Sequence, residues 1–227
     1  MEGALLPSLD RRSLGFDDMK GNFTTVVQSV VRGSALCLGL TLSVAAAPVP
    51  SEAVAVVDRL HAALLEVMQE AGTLGYPGRY EKLDPLIRKS FDFATIAQIV
   101  VGRFWKELSD AQRQSFIDTF TQLSTATYAA RFDGFDNEQF RHVAGEELKK
   151  DRILVKTEIV KSNGEAVRLD YVLQTKSDEW LIVNVIADGV SDLSLKRADY
   201  TSVLKSKGFD DLITVLNDKI AKYGAGE

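Results

Sequence analysis

The stretch Arg152-ILVKTEIVKSNGEAVRLDYVLQTKSDEWLIVNVIADGV-Ser191 decides the fold. It reads as three consecutive antiparallel strands joined by two short turns. A two-residue Asn163-Gly164 loop would pair Glu158 with Leu169 and Lys156 with Tyr171, setting charges against apolar side chains. A three-residue loop, Ser162-Asn163-Gly164 with Gly164 left-handed, instead pairs Ile159 with Val167 and Thr157 with Leu169. It also sets Val155 against Tyr171 and Ile153 against Leu173. Only this second register leaves one continuous apolar face, so it is the one expected. The opposite face then carries Lys156, Glu158, Arg168 and Asp170, with Asp170 pointing away from the apolar side. In the third strand, strict alternation puts Trp180, Ile182 and Ile186 on one face and Leu181, Val183 and Val185 on the other. A strand apolar on both faces is covered on both.

The 227 residues are 45% hydrophobic and 26% charged, with a mean hydropathy of -0.04. That is the composition of one globular domain rather than of a disordered or membrane-embedded chain. The formal net charge of -5 argues against nucleic acid as a partner, because that needs a basic face. It also argues against adsorption to an anionic lipid surface by charge alone.

Residues 1–46 are expected to be a secretory signal. Lys20 and Arg32 precede the uncharged run Gly33-SALCLGLTLSVAAA-Ala47, and small residues at Val44 and Ala46 suit cleavage after Ala46. The run is too short to span a bilayer, which takes about 20 residues. Glu2, Asp10, Asp17 and Asp18 suit no such signal, so Met19 is the better start. Cleavage removes as many acidic as basic residues and leaves the net charge unchanged. Cys37 leaves with the signal, and Leu36 before it is too large for a lipidation site. The mature chain therefore has no thiol, disulfide or thiolate metal site, and is expected in the periplasm as a monomer without stable membrane insertion.

Residues 47–51 are a linker and residues 52–223 a single domain. Val57, Leu60, Leu64, Val67 and Ala71 form one helical stripe that Gly72 should end. Gly75 to Arg79 reads as a loop and Tyr80 to Phe91 as a helix with Pro85 in its first turn. Asp92 caps a further helix, closed by Gly102, with Phe93, Ile96, Ile99 and Val100 inward. Ser109 and Gln112 form a capping box opening a long helix to about Phe132, with Phe116, Phe120, Leu123, Thr127 and Ala130 in a stripe. This helix is the expected lid over the sheet. Phe140 to Leu148 is a first strand. After Asp188-Gly189 the chain returns to helix at LKRADYTSVLKSKG and again from Phe209 to Tyr223. About four strands and six helices in this segregated order predict an α+β fold, a curved antiparallel sheet covered by helices.

No catalytic constellation stands out. His61 and His142 lack metal-ligand spacing and read as surface or rim residues. There is no GxSxG motif, and Asp210-Asp211 sits where a helix begins, which explains it. What remains is apolar excess on the sheet and on the Phe116/Phe120 stripe. Those residues are either close-packed core or the wall of a cavity for an apolar ligand, and periodicity is satisfied by both. A cone-fold isomerase or dehydratase acting on a small hydrophobic substrate is the alternative, and it needs an acid–base residue inside the cavity.

The stretches FDFATIAQIVVGRFW, SDAQRQSFIDTFTQLSTATYA and W-LIVNVIADGVSDLSLKRADYTSVLKSKGFDDLITVL resemble the MlaC/toluene-tolerance family of periplasmic lipid-binding proteins, from about Val54 to Ile220. The residues that carry the resemblance are Phe91-Asp92-Phe93, Gly102, Trp105, Gln112-Arg113, Phe116, Phe120, Tyr128, Trp180, Gly189-Val190-Ser191, Arg197, Tyr200 and Gly208. Asn184 stands where many members have Asp, and LKRADY replaces the usual NYRSQF, a drift toward the hopanoid-associated HpnM branch. The resemblance implies a cone like that of the nuclear transport factors, closed by helices, with acyl chains held between the two layers. It implies a non-enzymatic carrier of a phospholipid or hopanoid, without cofactor. Its partner would be an inner-membrane transporter complex of MCE-domain/ABC or RND type. The residues expected at the lipid are Phe116, Phe120, Tyr128, Ile153, Val155, Leu169, Tyr171, Val183 and Val185. Lys196 and Arg197 are expected to contact an acidic partner or headgroup.

Overall fold

The structure is a computed structural model that describes residues 49–226. The signal segment, the Met19 start and Cys37 lie outside the described residues. The domain is α+β: four helices, a five-stranded sheet, then two helices.

Strand β1 (Gln139–Leu148), β2 (Arg152–Val160), β3 (Ala166–Lys176), β4 (Glu179–Ala187) and the two-residue β5 (Val190–Ser191) follow one another in an antiparallel meander. The β2–β3 register is the three-residue-loop one: Ile159 faces Val167, Val155 faces Tyr171 and Ile153 faces Leu173. Gly164 has φ +83°, the left-handed conformation that closes this turn. The β3–β4 turn uses Ser177 and Asp178, both at positive φ, as a two-residue hairpin loop of primed type requires.

Two features of the pairing from β2 to β4 depart from strict alternation. Lys156 and Asp170 are not a regular pair. Instead the Asp170 carboxylate accepts from the Thr157 N–H (3.3 Å) and from Arg168 Nη2 (2.9 Å), while the Thr157 hydroxyl donates to the Leu169 carbonyl. Asp170 stays on the Arg168 face but is buried. In β4 the register slips by one residue at Val183: Val172 faces Asn184, whereas Leu173 faces Ile182. This is a β-bulge, two residues opposite one. It corrects the two-faced reading of β4, because Ile182 lies beside Leu173 and Val185 beside Tyr171, both on the inner side, while Ile186 lies beside Asp170. Ile182 and Val183 are both buried.

The helical layer follows from capping and patterning. Helix α1 (Ser51–Gln69) buries the expected stripe. It stops at Gln69 rather than Gly72, because α2 (Ala71–Ser90) restarts after a single residue. The expected loop at 75–79 is a kink inside α2, where Gly75 takes φ +58° and Pro77 opens the second segment. Helix α3 (Phe93–Val101) is capped by Asp92 and closed by Gly102 at φ +62°; a short 3₁₀ turn, Gly102–Lys106, follows. Helix α4 (Asp110–Arg131) opens on both arms of the Ser109/Gln112 capping box. Helices α5 (Asp192–Ser206) and α6 (Phe209–Ala225) complete the layer.

Backbone contact with the sheet comes from α1 on β2 and β4, and from α2, α3 and α5 on β4. Helix α4, the expected lid, packs its backbone mainly on α2, α3 and α6. Layer and sheet are joined at Asp92. Its N–H donates to the Ile182 carbonyl (3.0 Å), and Phe91 forms a parallel bridge with Ile182. The carboxylate accepts from the Thr95 N–H (3.1 Å), from the Thr95 hydroxyl (2.6 Å) and from Lys176 Nζ of β3 (2.7 Å). Replacing Asp92 by Ala removes a cap and a charge-assisted contact together. We expect urea denaturation to show a loss of about 2–3 kcal/mol, with Asp92→Asn, which retains the capping oxygen, losing about half as much.

Candidate functional site

The inner face of the sheet is formed by Ile153, Val155, Thr157 and Ile159 of β2 with Val167, Leu169, Tyr171 and Leu173 of β3, all buried. Val185 and Ala187 of β4 extend it, and Ile182 and Val183 close it at the bulge. Six of the residues expected at a lipid therefore share one apolar surface: Ile153, Val155, Leu169, Tyr171, Val183 and Val185.

The other three divide along α4. Phe116 and Phe120 stack on each other (centroids 5.8 Å) and meet Tyr200 of α5 edge-on, and Phe120 also meets Phe93. They pack between helices. Tyr128 lies two turns further on, against Phe91 (6.0 Å) and Phe132 (5.8 Å). Burial raises the pKa of Tyr171, and Tyr128 adds to that shift. Helix α4 thus reaches the sheet face through the aromatic side chains of its last turns, not through its backbone.

The aromatic run continues from Phe132 to Phe140 of β1 (6.4 Å), and from Phe140 to His61 of α1, stacked at 4.0 Å. His61 Nε2 lies 3.0 Å from the Tyr171 hydroxyl. His61 is 6% exposed, so it is a buried residue rather than the surface one expected. The missed signal was its place four residues after Val57, on the apolar stripe of α1. Burial, assisted by the positive field of His142, lowers the His61 pKa to about 4. Burial pushes the Tyr171 and Tyr128 phenols up, so both remain protonated. The result is a neutral imidazole–phenol pair on an otherwise apolar face, closed on one ring side by Phe140.

Lys196 and Arg197, adjacent in sequence, have different surroundings. The Lys196 side chain is 13% exposed, and its ammonium pairs with Asp192 one turn earlier. Arg197 is exposed and lies against the backbone of Gly102, where a Cβ would sit 3.5 Å from its guanidinium. Among the described residues, no group of three or more His, Cys, Asp or Glu could hold a metal ion, and no helix is long and apolar enough to cross a membrane.

The fold defines the class, an α+β protein whose single antiparallel sheet buries one apolar face beneath helices. The chain belongs to the MlaC protein family, which matches residues 58–218. It is 28% identical over 127 residues to the intermembrane phospholipid transport system binding protein MlaC of Haemophilus influenzae; the match covers 54% of this chain and 59% of that relative's length. Its fold is similar to that of a phospholipid-binding protein from Ralstonia solanacearum, solved in complex with a phospholipid. The TM-score is 0.67 at 22% identity, over 76% of this chain and 99% of that one.

The buried histidine yields a pH dependence of defined sign. Its folded pKa of about 4 lies below the ordinary histidine value of 6.5, so the unfolded chain takes up the proton first. Stability from this group is full above pH 6.5 and falls as the pH drops toward 4, by up to about 3 kcal/mol. Urea midpoints measured across that range should fall for the native chain and fall less steeply for His61→Gln.

Proposed function

We propose that this protein is a soluble periplasmic lipid carrier, exported by the signal in residues 1–46. It moves a phospholipid between the outer and inner membranes in an Mla-like system. The observation that carries this reading is the continuous apolar inner face from Ile153 to Val185, which gathers no catalytic set, in a member of the MlaC family. The Haemophilus relative is named for intermembrane phospholipid transport and the Ralstonia neighbour for phospholipid binding, and both support it. In this reading Tyr128, Ile153, Val155, Leu169, Tyr171, Val183 and Val185 line the acyl chains. Phe116 and Phe120 back the wall from the helical side. A hopanoid is the other cargo class that the LKRADY departure favours.

Magnitudes set the mechanism. Burying a chain of ~16 methylenes yields roughly 13 kcal/mol relative to water at ~0.8 kcal/mol each. A lipid leaving a bilayer was already out of water, so this term nearly cancels in transfer. The carrier then needs only near-parity with the membrane. Direction comes from a partner such as an inner-membrane transporter complex of MCE-domain/ABC or RND type.

The enzymatic alternative draws on one observation, the His61–Tyr171 pair. A neutral imidazole on the apolar inner face is the kind of group a base requires, but Phe140 stacks on its ring and, among the described residues, no carboxylate is bonded to it. The carrier reading is therefore preferred.

Native mass spectrometry of the gently purified protein should show a bound diacyl lipid, identified after extraction. Leu169→Trp, which fills the wall rather than charging it, should reduce occupancy several-fold while the protein stays folded by circular dichroism. A chain that purifies empty and takes up no lipid from vesicles overturns the proposal.

A further inference from the structure

A groove of about 430 Å³ lies between the 3₁₀ turn after α3 and the outer face of α5. Its cations are Arg103, Arg197 and Lys205, and no acidic side chain lines it. Arg197 and Lys205 are eight residues apart on α5, about 12 Å along the axis, and the small residues Ala198, Thr201 and Ser202 lie between them as a floor. All three cations are exposed, and none has an ion pair among the described residues. By contrast Lys196, next to Arg197, is neutralised by Asp192.

Two of the three cations, Arg197 and Arg103, are held in place by the fold. The left-handed Gly102 turns the chain out of α3 and leaves room for the Arg197 guanidinium over its backbone. Arg103 lies over the Phe104 ring, 4.9 Å from its centroid, which limits its freedom. A planar guanidinium fixed in this way suits bidentate capture of a carboxylate.

We propose that this groove is the docking site for an acidic segment of a partner protein. Charge complementarity carries the assignment: three unpaired cations without a carboxylate stand together on a chain of net charge -5. Such a local field orients an acidic partner that the remainder of the surface repels. A membrane surface fits less well. Faces that dock on bilayers combine cations with exposed apolar side chains, and the large exposed ones here, Phe135, Val143 and Val190, line no part of the groove. The groove is also concave, and Phe104, its one large apolar residue, is only half-exposed, which leaves room for a side-chain row or one face of a helix. The proposal is independent of what fills the interior.

The test uses the full chain and a fluorescein-labelled oligoglutamate peptide, read by fluorescence anisotropy at low ionic strength. The combined variant Arg103→Gln, Arg197→Gln, Lys205→Gln should weaken binding by roughly tenfold or more. A control with the same charge change elsewhere, Arg59→Gln, Lys149→Gln, Lys150→Gln, should stay within about twofold of the native chain. Equal loss in both variants would reduce the effect to net charge and overturn the site, as would unchanged binding in the first. Flotation with phosphatidylglycerol vesicles supplies a further arm. Vesicle binding by the native chain that the groove variant loses would make a membrane the occupant and overturn the proposal. Native mass spectrometry of the groove variant should show unaltered lipid content, so a failure here is distinct from a failure of the carrier reading.

Discussion

The junction at Asp92 is the constraint on which the two layers depend. One residue uses its N–H to hold the carbonyl of Ile182 on β4, and its carboxylate to start α3 and to hold Lys176 at the end of β3. Each contact alone is worth only about 1–3 kcal/mol, but they meet where α2, α3 and the sheet would otherwise be free to separate. The side chain is 2% exposed. Burial alone would raise its pKa, and the bonds from Lys176 and Thr95 lower it instead, so the carboxylate stays charged. The buried charge persists because three donors, one of them the Lys176 ammonium, are bonded to it. The same contact protects the edge of β4. Strand β5 covers only Ile186 and Ala187, and the Phe91–Ile182 bridge occupies part of what remains.

With that junction fixed, the helical layer meets the sheet in two ways. Helices α1, α2, α3 and α5 lie directly on strands, whereas α4 approaches through Tyr128 and Phe132. Rings bridge a wider gap than aliphatic side chains do, and they keep their shape while doing so. The connected series from Phe120 through Phe93, Phe91, Tyr128, Phe132 and Phe140 to His61 runs from the helical core to the sheet.

Much of this was legible in the sequence wherever a local rule has one solution. Gly164 and the charge pattern fixed the β2–β3 register, since the competing register buries Glu158 and Lys156 against apolar residues. The Ser109/Gln112 box and the Asp92 cap are likewise local. The misreadings arose where tertiary packing overrides local pattern. Alternation cannot reveal the bulge at Val183, because Leu181 to Val183 are all apolar and every register looks equally good. The Gly75–Pro77 pair reads as a loop by composition, yet a single positive φ lets the helix resume at once. His61 read as a rim residue because its chain neighbours Asp58, Arg59 and Ala62 are exposed. Its partner Tyr171 is 110 residues away. For the site, the sheet wall was legible from β2 and β3. The basic groove was only half visible, since Arg103 and Lys205 meet Arg197 by way of the fold and Lys196 drops out through its pairing with Asp192.

The bulge at Val183 bears on how the sequence can vary. Because the bulge absorbs one extra residue, it is the single place in β4 where the strand can change length by one without disturbing its pairing with β3. Losing Val183 would remove the bulge and make Val172–Asn184 and Leu173–Ile182 successive regular pairs, whereas gaining or losing a residue elsewhere in β4 would put Ile182 and Trp180 out of step with Leu173 and Thr175. Insertions are tolerable in the exposed turns at 149–151 and 162–164, where nothing downstream depends on phase. Across diverging descendants, length changes within β4 should therefore gather at Val183, and the remaining length variation in the β1–β2 and β2–β3 turns.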